Sequence, residues 1–206
     1  MPETRATYFS VDIECSGPVP ALYDMVSIGI VAVAPDPTGA LQCGETLYIE
    51  IQPEGPRVDP GAMKIHGLSL EHLKANGVTR RAAMLQVTEW VQARTRPKTR
   101  PVFVGHNAPF DWSFVAWCFA AEELPNVFGY KALDTKALAT GALGLHWFDS
   151  GKETLHELLG MPPEDLTLKH RADYDAQYQA ELLIRLLDPG RRASGRDASR
   201  PAQRAH

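Results

Sequence analysis

Three β-rich segments follow one another at the start of the chain, before any helical pattern appears. Residues 7–14 alternate strictly between an apolar and a polar face, which is typical of a strand. The apolar face carries Thr7, Phe9, Val11 and Ile13, and the polar face carries Tyr8, Ser10, Asp12 and Glu14. A second run covers residues 25–34, and a Pro- and Gly-containing turn separates it from a third at 45–51. The sequence therefore predicts an antiparallel three-stranded meander.

Helical patterns and short strands alternate through the rest of the chain. Short helices are expected from Pro60 and after Ser69. A longer helix is expected over 79–94, with Ala82, Leu85 and Trp90 at helical spacing. The remaining expected elements are a buried strand at 101–105, a helix at 110–123, a strand ending near Asp134, and helices near 135–140, 152–160 and 173–187. This order predicts an α/β layer architecture with a mixed sheet.

Composition bounds the class of protein. The 206 residues, 44% of them hydrophobic, can bury one core, so one domain is expected. No apolar run approaches the ~18 residues of a membrane span, and the first residues lack the apolar core of a signal peptide. We therefore expect a cytoplasmic protein with no membrane partner. Cys15, Cys43 and Cys118 are too few and too scattered for a disulfide framework or a zinc knuckle, so reduced thiols are expected.

The net charge of −4 conceals two regions of opposite sign. Residues 189–206 hold five arginines and one aspartate, which leaves residues 1–188 strongly acidic. A protein body with a negative charge is not expected to bind many phosphates along a nucleic-acid duplex. This does not exclude a site where bound cations neutralise clustered carboxylates. We predict a folded domain over residues 1–188 and a basic, disordered tail over 189–206.

Acidic residues stand at three positions where metal chemistry is an option. Asp12 and Glu14 share one strand face. They either bind Mg²⁺ or Mn²⁺ through their carboxylates or form a solvated polar face at a sheet edge. Asp111 follows a strand-to-helix junction, where it binds a ligand or merely complements the helix dipole. Near the last predicted helix, Asp173 resembles an N-cap, and Asp175 is either a ligand or a further acid of the first turn.

Taken together in this order, these clusters resemble the DEDDh family of 3′→5′ exonucleases, which includes ribonuclease T. Its Asp-x-Glu motif matches Asp12 and Glu14, its His-Asn-x-x-Phe-Asp motif matches residues 106–111, and its His-x-Ala-x-x-Asp-Ala motif matches residues 170–176. Residues 65–68 and 133–135 resemble two minor landmarks of the family. The resemblance covers roughly residues 7–187.

The resemblance implies a ribonuclease H-like fold, a mixed five-stranded sheet flanked by helices. It implies that Asp12, Glu14, Asp111 and Asp175 hold two Mg²⁺ (or Mn²⁺) ions and that His170 is the general base. The implied activity is hydrolysis of single-stranded or short RNA or DNA from its 3′ end, with release of nucleoside 5′-monophosphates. A catalytically silent nucleic-acid-binding module and a phosphohydrolase of free nucleotides are the alternatives.

Several further residues are candidates for binding a nucleic-acid 3′ end. The backbone at Ser16 and Gly17 could contact the terminal sugar, and Cys15 and Ser16 depart from the threonines frequent in the family. Asn107 and His66 are candidates for the same groove, although a helix-end histidine without a ligand is an equal option for His66. Phe110 and Trp147 are candidate base-stacking residues, whereas most aromatic residues of the 110–123 helix are expected in the core. Relatives commonly dimerise, so a homodimer is a further option that no segment of this sequence reports.

Overall fold

The computed structural model describes residues 5–188, so the predicted basic tail at 189–206 lies outside the described residues. The strands are β1 (Ala6–Cys15), β2 (Met25–Pro35), β3 (Leu41–Glu50), β4 (Arg100–Gly105) and β5 (Ala132–Asp134). The helices are α1 (Pro60–His66), α2 (Leu70–Asn76), α3 (Arg80–Arg94), α4 (Pro109–Ala121), α5 (Thr135–Leu143), α6 (Lys152–Leu158) and α7 (Ala172–Leu187). A short 3₁₀ helix, Trp147–Asp149, lies between α5 and α6.

The five strands form one mixed sheet in the order β3-β2-β1-β4-β5. The first three strands pair antiparallel as the predicted meander, and β4 and β5 add parallel to β1. The carboxyl ends of the neighbouring strands β1 and β4 therefore lie side by side, in the middle of the strand order. This confirms the predicted fold class, and it places Asp12 and Glu14 on the central strand rather than at a sheet edge.

Both faces of the sheet are covered, because successive strand residues point to opposite sides. On one face, Phe9, Val11 and Phe103 pack against α3 and α4. On the other face, Val31, Val33 and Val104 pack against α7, whose own far side contacts Leu155 and Leu159. Helix α7 is therefore buried between the sheet and the α6 region, which explains why Leu182, Leu183 and Leu186 are all buried.

Two local expectations were wrong, those for the start of β3 and for the N-cap of α7, and α3 shows which of its apolar residues are buried. Strand β3 begins at Leu41 rather than residue 45, since the Asp36 carboxylate accepts from the Thr38 and Ala40 N–H groups and closes the turn early. Helix α3 buries Met84 and Val87, whereas Leu85 is 47% exposed. Asp173 is not the N-cap of α7, because the helix begins at Ala172.

No helix within residues 5–188 is long and apolar enough to cross a membrane. All three cysteines lie in this part of the chain and are free thiols, two of them buried.

Candidate active site

Three separate segments converge where the carboxyl ends of β1 and β4 meet. Asp12 and Glu14 come from β1, Asp111 from the first turn of α4, and Asp175 from the first turn of α7. They border a pocket of about 250 Å³. Its lining residues are Asp12, Ile13, Glu14, His106, Asn107, Phe110, Asp111, Lys152, Lys169, His170 and Asp175. The five residues that the motifs single out therefore meet in one place.

A glycine on the neighbouring strand allows α7 to approach the acid pair. Gly29 of β2 lies directly opposite Asp12 in the antiparallel register. A Cβ atom at this position would stand 2.1 Å from the Ala172 carbonyl oxygen, well inside van der Waals contact. Because Gly29 has no side chain, the start of α7 rests on the sheet and brings Asp175 to the end of β1.

Hydrogen bonds from the main chain hold two of the four acids. The Ile13 N–H donates to Asp111 Oδ1 at 3.1 Å, which ties α4 to the central strand. The His170 N–H donates to Asp175 Oδ2 at 2.7 Å. The Gln179 amide donates to Asp12 Oδ1 at 2.5 Å, and its carbonyl oxygen accepts from the His106 N–H at 3.0 Å. Gln179 therefore links β1 to the segment that carries the second motif.

Burial and mutual repulsion raise the pKa of three of the acids, Asp12, Glu14 and Asp111. Burial raises the pKa of Glu14 to about 8, and the Asp175 and Asp111 carboxylates act in the same direction. Burial also raises the pKa of Asp111 to about 7, against the hydrogen bond from Ile13. The pKa of Asp12 lies well above its usual range because of burial and the nearby Asp111. Such a cluster is unfavourable unless cations compensate it.

A lysine supplies part of that compensation. Lys152, the first residue of α6, has a side chain only 14% exposed, and its Nζ lies 2.8 Å from Asp175 Oδ1. Burial alone would lower the pKa of this ammonium, but the charges of Asp12 and Asp175 outweigh burial and raise it. Lys152 is therefore a charged partner of the acid cluster.

His170 occupies the loop directly before α7. Its backbone is left-handed, with φ of 66°, which is uncommon for a residue with a side chain. One ring nitrogen of His170 and one carboxylate oxygen each from Glu14 and Asp175 lie within 4.8 Å of one another. The strained backbone thus presents the imidazole to the acids, a position suited to exchanging a proton near them.

The loop after β4 is fixed from β5. Asp134 Oδ1 accepts from the N–H groups of Asn107 and Lys136, both at 2.9 Å. The Thr135 hydroxyl donates to the Gly105 carbonyl oxygen and contacts His106 Nδ1 at 3.0 Å. This explains the Asp-Thr landmark of the sequence, because the two residues shape the wall of the pocket without entering the acid cluster.

The candidate substrate-binding residues fall into two groups. Asn107 and Phe110 line the pocket. The others lie outside the residues that line it, and their roles stay predictions: Cys15, Ser16, Gly17, His66 and Trp147. Ser16 is buried, and its hydroxyl accepts from the Asp24 N–H and donates to the Arg57 carbonyl oxygen.

His66 and Trp147 differ in what surrounds them. His66 ends α1, and its Nδ1 accepts from the Leu68 N–H. Its Nε2 is buried and makes no hydrogen bond to any residue that the structure describes. Trp147 is partly exposed, with Lys136 Nζ 4.8 Å from the centre of its ring, and its neighbour Phe148 is 82% exposed. These two aromatic rings form an accessible surface beside α5.

The sequence analysis missed three polar residues of the site, namely Lys152, Lys169 and Gln179. Gln179 stands four residues after Asp175, so helical spacing could have placed both on one face of α7. Lys152 and Lys169 carried no such signal, because only the packing of the segments before α7 brings them to the acids.

The donor set fits a hard divalent cation. Four carboxylates from three segments offer oxygen ligands, the kind that Mg²⁺ and Mn²⁺ prefer, and burial raises the pKa of three of them, Asp12, Glu14 and Asp111. The sulfur and imidazole ligands typical of structural zinc are not the main donors here.

Comparisons with known proteins place this arrangement among nucleases. The sequence profile of the exonuclease family (RNase_T) matches residues 9–183. The chain is 37% identical over 184 residues to the 3′-5′ DNA exonuclease Cap18 of Escherichia coli, covering 89% of this chain and 92% of that protein. It is 28% identical to ribonuclease T of Marinobacter nauticus, covering 90% of this chain and 84% of that protein.

A solved nuclease structure has a similar fold. The nuclease domain of 3′hExo, a DEDDh family member bound to rAMP, superposes with a TM-score of 0.71 at 13% identity, covering 91% of this chain and 93% of that chain.

Proposed function

The chain belongs to the DEDDh family of 3′→5′ exonucleases, and from this premise we propose that it removes nucleotides from the 3′ ends of single-stranded or short DNA in a divalent-metal-dependent reaction. The products are nucleoside 5′-monophosphates. The observation that carries the proposal is the meeting of Asp12, Glu14, Asp111, His170 and Asp175 around one pocket, from three distant segments of the chain.

Exonucleases of this family use divalent metal ions, and the four carboxylates are the residues that would hold them here. Two Mg²⁺ or Mn²⁺ ions would offset the four negative charges. When bound, such ions lower the pKa of water and stabilise the charge that develops on the attacking and leaving oxygens. The residues themselves supply a largely buried, oxygen-rich wall whose position β1, α4 and α7 determine together.

His170 performs the proton transfer. The attacking water forms a bond to phosphorus while the imidazole takes its proton, and the 3′-oxygen of the penultimate nucleotide leaves with the electron pair of its bond and gains a proton from solvent. A histidine, with a reference pKa of ~6.5, suits this role near neutral pH. Its place on the loop before α7, rather than within an element, lets the ring adjust to the substrate.

The choice of DNA follows from the relatives. The relative at 37% identity is named a DNA exonuclease, whereas the ribonuclease is more distant at 28%. Phe110 at the pocket rim and the aromatic rings of Trp147 and Phe148 offer surfaces on which unpaired bases can stack, which suits single strands of either sugar. We therefore expect the protein to hydrolyse DNA faster than RNA, but to hydrolyse both.

Oligonucleotides that carry a label at either end test the proposal. Incubation with Mg²⁺ should release label immediately from the 3′ end alone, and EDTA should stop the release. Matched deoxyribo- and ribo-oligomers of one sequence then rank the two substrates. Mononucleotide products that comigrate with 3′-monophosphates, or faster cleavage of RNA, would contradict the corresponding part of the proposal.

His170→Ala tests the general base. We expect turnover to fall by about 10²- to 10⁴-fold while Mn²⁺ affinity stays close to that of the wild type. His72→Ala is the matched control, because His72 lies on α2 and pairs with Glu50 away from the pocket. Wild-type turnover in His170→Ala would remove this residue from the mechanism.

A further inference from the structure

Both carboxylate oxygens of Asp175 already have partners in the protein. Oδ2 accepts from the His170 N–H at 2.7 Å, and Oδ1 accepts from Lys152 Nζ at 2.8 Å. The main-chain donor is fixed by the loop, but the lysine reaches Asp175 on a flexible four-carbon stem. Any divalent cation that uses Asp175 must therefore contend with the positive charge of Lys152 at the same carboxylate.

A second acceptor lies beside the lysine. Glu164, in the segment between α6 and α7, has a side chain only 6% exposed, and its Oε1 lies 3.4 Å from Lys152 Nζ. This oxygen is buried and accepts no hydrogen bond from any residue between 5 and 188. The other oxygen, Oε2, forms an ion pair with Lys169 at 3.3 Å. Glu164 Oε1 already faces the Lys152 ammonium as an ion pair but accepts no hydrogen bond from it, so it offers Lys152 an alternative acceptor.

We propose that Lys152 is an internal counter-ion that competes with the divalent cation for Asp175 and transfers its hydrogen bond to Glu164 Oε1 when the cation binds. The proposal rests on the metal site of the proposed function. Because Glu164 Oε1 is within 3.4 Å of the ammonium, the transfer needs a change of side-chain rotamer and no movement of α6.

The competition has two consequences. In the metal-free protein, Lys152 compensates part of the charge of the acid cluster and so stabilises the fold. When a cation is bound, the lysine joins Lys169 on Glu164, in the segment that leads directly to His170. Metal loading thereby tightens the segment that carries the proton acceptor, and Lys152 acts as a positioning residue.

Metal titrations of the purified full-length chain, without nucleic acid, test the proposal. Mn²⁺ affinity is measured from the electron paramagnetic resonance signal of the free ion for the wild type, Lys152→Met, Glu164→Gln and the double variant. Lys169→Met is the matched control, since Lys169 lines the same pocket and pairs with Glu164 but not with Asp175. Thermal unfolding in EDTA and in Mn²⁺ gives a second readout.

We expect Lys152→Met to bind Mn²⁺ roughly ten- to a hundredfold more tightly than the wild type, the range for removing one hydrogen bond to a charged group. Lys169→Met should change the affinity much less. Glu164→Gln should weaken binding, and this effect should disappear in the Lys152→Met background, because no ammonium then needs another position. Lys152→Met should also unfold at a lower temperature in EDTA and recover with Mn²⁺.

The two proposals fail in different ways. If the wild type binds Mn²⁺ but Lys152→Met binds it no more tightly than Lys169→Met does, the counter-ion proposal is overturned and the metal site stands. An equal effect of Glu164→Gln in both backgrounds overturns the transfer to Glu164. If the wild type binds no divalent cation, both the metal site and the counter-ion proposal are overturned. Should Lys152→Met not fold, Lys152→Gln replaces it with the same expectations.

Discussion

The Gly29→Ala substitution changes the site without altering any residue that lines it. The added Cβ would stand 2.1 Å from the Ala172 carbonyl oxygen and 2.4 Å from the Asp173 nitrogen. Both are main-chain atoms, so no side-chain rotation can relieve the clash. Because ordinary contacts at such atoms begin near 3.4 Å, the start of α7 must retreat by about 1 Å, and Asp175 must move with it.

The expected effects on turnover and stability are separable. A displacement of ~1 Å at a reacting centre costs about a hundredfold in rate, so turnover should fall by roughly two orders of magnitude. Overpacking of this kind costs ~1–3 kcal/mol of stability, which lowers Tm by roughly 2–12 °C in a domain of this size. The variant should therefore remain folded at assay temperature while most activity is lost.

Turnover on a 3′-labelled oligonucleotide, Mn²⁺ affinity and thermal unfolding are measured on the same preparations. Gly141→Ala is the matched control, since a Cβ at that position in α5 meets no atom within 4 Å. It should raise stability by ~0.5–1 kcal/mol and leave turnover unchanged. Wild-type turnover and metal affinity in a folded Gly29→Ala would refute the role assigned to this close approach.

Three further outcomes are expected. Gln179→Leu should reduce Mn²⁺ affinity or turnover by about 10- to 100-fold, because Asp12 loses the donor that orients it, and unchanged values would contradict this. The free energy of unfolding of the metal-free protein, measured with urea, should fall as the pH rises from about 5 to 8. Folded Glu14, whose pKa is raised to about 8, keeps a proton in this range that the unfolded chain releases. Glu14→Gln should make the free energy of unfolding less dependent on pH. Trp147→Ala should weaken binding of single-stranded DNA by ~1–3 kcal/mol without lowering Tm, as a fluorescence titration can measure.

Much of the fold could be predicted because local patterns and tertiary packing agree. The alternation of residues 7–14 persists in β1, where Phe9, Val11 and Ile13 enter one core and Asp12 and Glu14 face α7. Helix α3 shows where this agreement ends. Apolar residues occur on more than one of its faces, and only contact with the sheet selects Met84 and Val87 over Leu85 for burial.

Some residues of the site could also be predicted from the sequence, and others could not. The acids and His170 could be identified from the sequence because they match, in order, the three motifs of the DEDDh family, and the structure brings these residues to one pocket. The expected capping role of Asp173 was wrong, because α7 starts one residue earlier and the Asp173 carboxylate pairs with Arg171 instead. Lys152 could not be predicted, since its contact with Asp175 spans 23 residues and depends on how the α6–α7 segment folds back.

Asp111 and Asp175 each accept a hydrogen bond from the polypeptide backbone, and at Asp175 the Lys152 side chain adds a second. An amide hydrogen at position 13 survives the replacement of isoleucine by every residue except proline. These two hydrogen bonds therefore depend on the course of the backbone and not on the chemical nature of the side chains at positions 13 and 170. This tolerance is consistent with the 13% identity at which a nuclease of the same fold still superposes on the chain.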